Sequence, residues 1–174
     1  MLSCAENPVE LFSVRGRSAL VAGATGAFGE IAAEALARAG ARVLLAGAAR
    51  DRLEALAGRL RTGGATVATE AQRPDSEASC EALVAATVRE FGGLDILVVA
   101  SGINDVAPIG ELTPDRWQAV MDANVRGPWL LCRAAGRQLE DRATGRAVLV
   151  LGDADPEARE VEVQLPVHDT LTAS

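Results

Sequence analysis

Two side chains are missing altogether. Among 174 residues there is no lysine and no tyrosine, so all 17 basic residues are arginine. Chemistry that needs a lysine amine or a tyrosine phenol is therefore excluded from this chain. Histidine occurs once, as His168. The three cysteines, Cys4, Cys80 and Cys132, are widely separated and form no C-x-x-C pair. Together with a single histidine they complete no familiar zinc spacing, and no metal is expected. An odd number of cysteines is ordinary for free thiols in a reducing compartment, and the expected location is the cytoplasm. No apolar run approaches the roughly 20 residues of a membrane span. Residues 1–12 carry Glu6 and Glu10 and no apolar stretch of the secretory type. Positive charge is outweighed, with a net charge of −7. That argues against nucleic acid and anionic membranes as partners.

The residues that remain describe a globular domain, 49% apolar and 24% charged. Its clearest punctuation is a glycine turn. Residues 18–22 are a short apolar strand, glycines follow at 23, 26 and 29, and a helix pattern starts at once. The first glycine permits backbone angles that other residues avoid. The later ones let backbone and helix approach a pyrophosphate over the helix N-terminus, where N–H groups and the dipole favour an anion.

Strands are expected at 17–22, 41–46, 66–70, 95–100 and 147–151. Helices are expected at 26–39, 50–61 and 75–91, and a long one, kinked, from 113 to about 140. Thr113 and Pro114 supply its N-cap and first turn. Ile96, Leu97, Val98 and Val99 leave the fourth strand no polar face, as in a parallel sheet covered on both sides. Strand and helix alternate with short joins. The predicted fold is α/β, a Rossmann-type doubly wound parallel sheet in the order 3-2-1-4-5, with its crevice between strands one and four. Residues 1–16 read as an N-terminal arm with a turn at 15–16, 17–152 as the dinucleotide-binding domain and 153–174 as an acidic tail. In the tail, Val161, Val163 and Leu165 alternate with Glu160, Glu162 and Gln164. If ordered, 160–165 is expected to pair antiparallel with strand five, because the connection is too short for a parallel crossover.

From about residue 11 to 150 the chain resembles the short-chain dehydrogenase/reductase family, as a C-terminally truncated or divergent member. The resemblance is carried by the glycine turn 23–29, by Phe91-Gly92-Gly93-Leu94-Asp95-Ile96-Leu97-Val98, by Ser101-Gly102-Ile103 and by Asp122-Ala123-Asn124-Val125-Arg126-Gly127. It implies binding of NAD(H) or NADP(H), oxidoreduction of alcohols and carbonyls, and a homo-oligomer built through the 113–140 helix. The implied cofactor contacts are Gly23, Thr25, Gly26, Ala27, Phe28, Gly29, Gly47, Arg50, Ala100, Ser101 and Gly102. NADP is favoured over NAD because Gly47 stands where NAD-specific members carry a carboxylate, and Arg50 lies within reach of a 2′-phosphate.

The chain departs from the family pattern in several places. Ala27 replaces a glycine, Val99 and Ala100 replace two asparagines, and Gln72 and Arg73 stand where an acid is usual. Asn124 is the remnant of the catalytic set. In the family its helix breaks locally and frees a backbone carbonyl for a proton-relay water. Here Pro128 lacks the N–H that the carbonyl of Asn124 would accept in a regular helix. The family's serine is matched by Leu151 and Gly152, and its tyrosine and lysine have no counterpart, so the chain alone is expected to be inactive. The family's later strands and helices also lack a match. A non-catalytic dinucleotide-binding or protein-interaction module on the same fold is the alternative. The helix segment Trp129, Leu130 and Leu131 is expected to expose apolar surface.

Overall fold

The computed structural model describes residues 13–140 and 146–149. It contains β1 (Ser18–Ala22), α1 (Ala27–Arg38), β2 (Arg42–Ala46), α2 (Arg50–Thr62), β3 (Val67–Glu70), α3 (Glu77–Phe91) and β4 (Ile96–Val99). Then follow α4 (Pro114–Met121), a π-helical segment (Asp122–Arg126), α5 (Gly127–Glu140) and β5 (Arg146–Leu149). The five strands form one sheet in the order β3-β2-β1-β4-β5, and every neighbouring pair is parallel. This is the expected doubly wound sheet. The fifth strand starts one residue earlier than its apolar pattern suggested, at Arg146. The tail 153–174, its expected hairpin at 160–165, His168, Leu151 and Gly152 lie outside the described residues.

Strand geometry sorts the core into two halves. Side chains alternate across a strand. Ala19, Val21, Val43, Leu45, Ile96 and Val98 therefore share one face, packed with Ala33 and Ala37 of α1 and Leu53, Leu56 and Leu60 of α2. Leu20, Leu44, Leu97 and Val99 take the other face, with Leu83 and Phe91 of α3 and Leu130 and Leu131 of α5. Register aligns these sets, Leu20 lying opposite Leu44 on one side and Leu97 on the other. Each fully buried leucine contributes about 1.5–3 kcal/mol of apolar transfer. Leu130 and Leu131 thus belong to the interior, not to the surface. In that segment only Trp129 is exposed, stacked under the Arg133 guanidinium. The segment's apolar residues follow helical spacing, and α3 covers them.

At the foot of the sheet Asp95, almost fully buried, accepts from the Ser18 N–H at 2.8 Å and returns its own N–H to the Ser18 carbonyl at 2.9 Å. This reciprocal pair fixes the register of β4 against β1. At the opposite end the chain leaves β1 through Gly23, with φ of +79°. A β-carbon there would come within 2.5 Å of the Ala100 carbonyl carbon and 2.6 Å of the Ser101 nitrogen. Gly64 also has a positive φ, +85°, but stands in open space.

Left-handed backbone costs a non-glycine residue about 1–2 kcal/mol. Gly64→Ala is expected to lose about that much stability in denaturant unfolding. Gly23→Ala adds a collision with the Ala100–Ser101 backbone just beyond β4 and is expected to lose about 3 kcal/mol or more. Equal losses for the two variants would mean that the approach of β1 to β4 is not tight.

Candidate active site: a dinucleotide crevice

The candidate site lies at the carboxyl ends of β1, β2 and β4. The Gly23 and Ala24 N–H groups both donate to the Ala46 carbonyl, at 2.9 and 3.1 Å, tying the glycine turn to the end of β2. Gly26 N–H closes the turn on the Gly23 carbonyl at 2.9 Å. Helix α1 starts from Gly26 with no capping side chain. The N–H groups of its first turn therefore have no side-chain acceptor, and the dipole leaves them partly positive. Helix α2, starting beside the same turn, is also uncapped at Ala49. Helices α3 and α4, away from the turn, are capped, α3 by a reciprocal Ser76–Ser79 box and α4 by Thr113.

Gly29 makes the closest backbone approach in the turn. A β-carbon at 29 would collide with the carbonyl oxygen of Gly23, not enter space above the helix. Gly29 is buried and packs α1 onto the turn. Gly26, Ala27 and Phe28 stay on the accessible side, Gly26 and Ala27 exposed and Phe28 half-buried.

Gly47 is buried at the end of β2 and has no positive φ. A β-carbon there would meet Thr25 Oγ1 at 3.6 Å and Leu53 at 3.7 Å, ordinary contact distances. The position thus has room for a β-carbon against the glycine turn. Arg50, expected beside it, is exposed, and its charge acts on Glu54. The arginine that touches the turn is Arg52, whose guanidinium donates to the Thr25 carbonyl at 2.5 Å. Helical spacing alone places Arg52 beside Leu53 on the edge of the buried face. Which loop it meets is decided by how α2 crosses the sheet.

On the β4 side, Ala100 N–H donates to the Ala22 carbonyl at 2.8 Å, and the chain passes over the turn through Ser101 and Gly102. Ser101 Oγ is buried and has no protein hydrogen-bond partner. Gly102 admits Asn124, whose Oδ1 would lie 2.9 Å from any β-carbon at 102. The Asn124 carboxamide closes on Ile103 from both ends. Oδ1 accepts from the Ile103 N–H at 2.8 Å and Nδ2 donates to the Ile103 carbonyl at 2.9 Å. Both ends of one amide are thus spent on holding the loop after β4.

The expected break in the long helix is present and takes a definite form. Residues 122–126 are π-helical, and the Gly127 N–H reaches back five residues to the Asp122 carbonyl. Pro128, which cannot donate, follows directly. Gly127 also lets this segment approach the loop after β3, since a β-carbon there would be 2.5 Å from the Pro74 carbonyl. Neither that approach nor the Asn124 clasp is visible from spacing. The loop after β4 is also braced by Arg116, which pairs with both carboxylate oxygens of Asp105 and reaches the Glu111 carbonyl at 3.4 Å.

The two thiols among the described residues, Cys80 and Cys132, are poor nucleophiles. Burial pushes Cys80 up to about 11 and raises Cys132. Among the described residues no cluster of His, Cys, Asp and Glu could hold a metal, and no helix is long and apolar enough to cross a membrane.

A parallel sheet in this order, with a glycine turn at its switch point, is the Rossmann-type doubly wound architecture. The chain belongs to the short-chain dehydrogenase/reductase family, since the family model described as short chain dehydrogenase matches residues 17–157. It is 48% identical over 140 residues to an uncharacterized oxidoreductase of Mycobacterium tuberculosis, covering 80% of this chain and 51% of that protein. It is 34% identical over 145 residues to D-threitol dehydrogenase of Mycolicibacterium smegmatis, covering 82% and 55%. Among solved structures, a short-chain type dehydrogenase/reductase from Mycobacterium marinum superposes with a TM-score of 0.78 at 28% identity. That match covers 83% of this chain and 59% of the other. The chain spans about half the length of the curated relatives it matches.

Hydrogen bonding to Arg116, reinforced by its charge, holds the Asp105 carboxyl below the usual carboxylate range. A depressed folded value means the pair steadies the loop above the unfolded value of about 3.9 and releases it as pH falls through the folded value. Backbone amide shifts of residues 103–112 are expected to titrate with a midpoint below 3.9. In Asp105→Asn they should show the acid-form positions already at neutral pH. A midpoint at or above 3.9 would show that the pair does not hold the loop.

Proposed function

We propose that residues 17–152 form a nicotinamide-dinucleotide-binding domain that takes NADP(H) in preference to NAD(H). The observation that carries this is the turn at 23–29 opening onto the uncapped first turn of α1, beside a β2 end that bears no carboxylate. An anion is favoured there by the unpartnered N–H groups and the dipole. Gly23, Thr25, Gly26, Ala27 and Phe28 would hold the pyrophosphate, with Gly29 packing α1 close beneath them. Ala100, Ser101 and Gly102 would face the nicotinamide ribose with their backbone. The buried, unpartnered hydroxyl of Ser101 supports a polar environment at that place. When bound, the dinucleotide supplies hydride-transfer chemistry to an oxidoreductase of this family.

Turnover by this chain is a separate matter. A general acid–base group contributes roughly 10²–10⁴-fold. No tyrosine or lysine exists in the 174 residues to provide it in the family's manner. Asn124 is held by Ile103, which suits a supporting role at the helix break more than direct proton transfer. We therefore assign the chain as a dinucleotide-binding half that is catalytically silent alone. Self-association through α4 and α5 agrees with the exposure of Trp117 and Trp129 on those helices.

Calorimetry is expected to show NADPH binding, weak and tighter than NADH. Gly29→Val should abolish binding, because its side chain would drive the Gly23 carbonyl out of the turn. Circular dichroism on the same sample verifies that the variant is folded. Equal affinities for folded wild type and variant would refute the site.

A flat NADPH absorbance is expected with any alcohol or ketone substrate. A sustained, substrate-dependent change, lost in Asn124→Ala, would show that this chain turns over after all.

A further inference from the structure

We propose that Gly127 is a positioning residue. By packing on the Pro74 carbonyl it sets, through Asn124, the loop after β4, and so makes the loop after β3 the footing for the opposite wall of the crevice. What the loop after β4 faces is taken from the dinucleotide reading above. What places that loop is the addition.

Three links run in series. The first is a close approach of backbones. A β-carbon at 127 would stand 2.5 Å from the Pro74 carbonyl oxygen, nearer than a side chain can settle, and both residues are buried. The second is the π-helical turn. Gly127 closes it by donating to the Asp122 carbonyl, and Asn124 lies within it, three residues before the glycine. The third is the asparagine clasp on Ile103, with bonds of 2.8 and 2.9 Å.

Crowding at 127 must be relieved by one side or the other. Behind Pro74 the backbone is fixed. The Asp75 and Ser76 N–H groups both donate to Ser79 Oγ, at 3.1 and 2.9 Å, and that hydroxyl donates to the Ser76 carbonyl at 2.9 Å. Ser79 is itself buried at the start of α3. Proline adds its locked φ. The loop after β3 is therefore a rigid stop. The other side is softer. A π turn is a single-turn interruption of a helix, and none of the residues 122–126 is buried. A bulkier residue at 127 thus moves the helix and leaves the loop in place. Restoring ordinary contact takes a separation of about 1 Å, enough to carry the Asn124 bonds past hydrogen-bonding distance.

The effect is selective. Ser101 and Gly102, just before Ile103, face the nicotinamide ribose in the reading above. None of the three links reaches the glycine turn or the end of β2. A disturbance at Gly127 therefore loosens the nicotinamide end of the crevice and spares the adenosine end.

Amide hydrogen exchange on the whole chain reads the clasp without any ligand. In Gly127→Ala the Ile103 amide is expected to exchange about tenfold faster or more, while the amides of β1 and β4 keep their protection. Asn124→Ala should give the same increase, and the double variant no further one, because both act through one clasp. Ser79→Ala, which bonds to neither Gly127 nor Ile103, softens the stop behind Pro74. It is expected to speed Ile103 exchange several-fold with β1 and β4 unchanged, and it decides the matter if Gly127→Ala opens the whole sheet. In calorimetry, Gly127→Ala should weaken NADPH about tenfold. It should weaken adenosine 2′,5′-bisphosphate, which lacks the nicotinamide riboside, by no more than about twofold. An Ile103 amide still protected in Gly127→Ala or in Ser79→Ala would overturn the proposal. So would additive losses in the double variant, or equal weakening of the two ligands. If the wild type binds neither ligand, the dinucleotide reading fails, and the exchange results alone decide whether Gly127 positions Asn124.

Discussion

The approach of backbone to backbone at Gly23 is the constraint on which the rest of the molecule depends. The chain must leave β1, turn back beneath β4 and enter α1 within a few residues. Only a residue with no side chain and free access to positive φ does this where the Ala100 carbonyl lies at van der Waals limit. Gly29 repeats the demand from the other side, bringing the first turn of α1 onto the Gly23 carbonyl. Two glycines thus press strand, turn and helix together, and the N–H groups at the start of α1 are left facing outward as a by-product of that packing.

A second close approach shapes the other wall. Gly127 brings the π-helical segment against Pro74, and Gly102 makes room for Asn124. The asparagine then mimics a strand neighbour. Its carboxamide gives the Ile103 backbone one acceptor and one donor, as a paired residue would. The loop after β4 leaves the sheet, yet at Ile103 both its backbone donor and its acceptor keep a partner. This accounts physically for an asparagine at 124 in a chain with no tyrosine or lysine to serve: its side chain has a loop to hold.

The elements and their order were legible because the signals were local. Continuous apolar strands, helix-spaced leucines and glycines at the ends of helices each bear on a few neighbouring residues, and all five strands fell in the expected order. The break at 122–126 was also legible, through Pro128, although its π-helical form was not. What escaped was set by tertiary crossing. Arg50 and Arg52, two residues apart, point to different sides of α2, and how α2 is seated on the sheet decides that Arg52 meets Thr25. The burial of Leu130 and Leu131 likewise follows from α3 lying over them, which helical periodicity does not report. The close packing of Gly29 on the Gly23 carbonyl is likewise a tertiary contact that glycine spacing does not report.

The alternation along the strands has a wider consequence. Leu20, Leu44 and Leu97 never meet Val21, Leu45 and Val98, because the sheet's own backbone lies between them. The molecule therefore holds two separate interiors, and space lost beneath α1 and α2 cannot be refilled by moving α3 or α5. Each interior is free to change its residues independently, provided the ladder between them is undisturbed. A sequence can drift far in either layer and still present the same carboxyl-end rim of turns, which is the part of the fold on which chemistry is written.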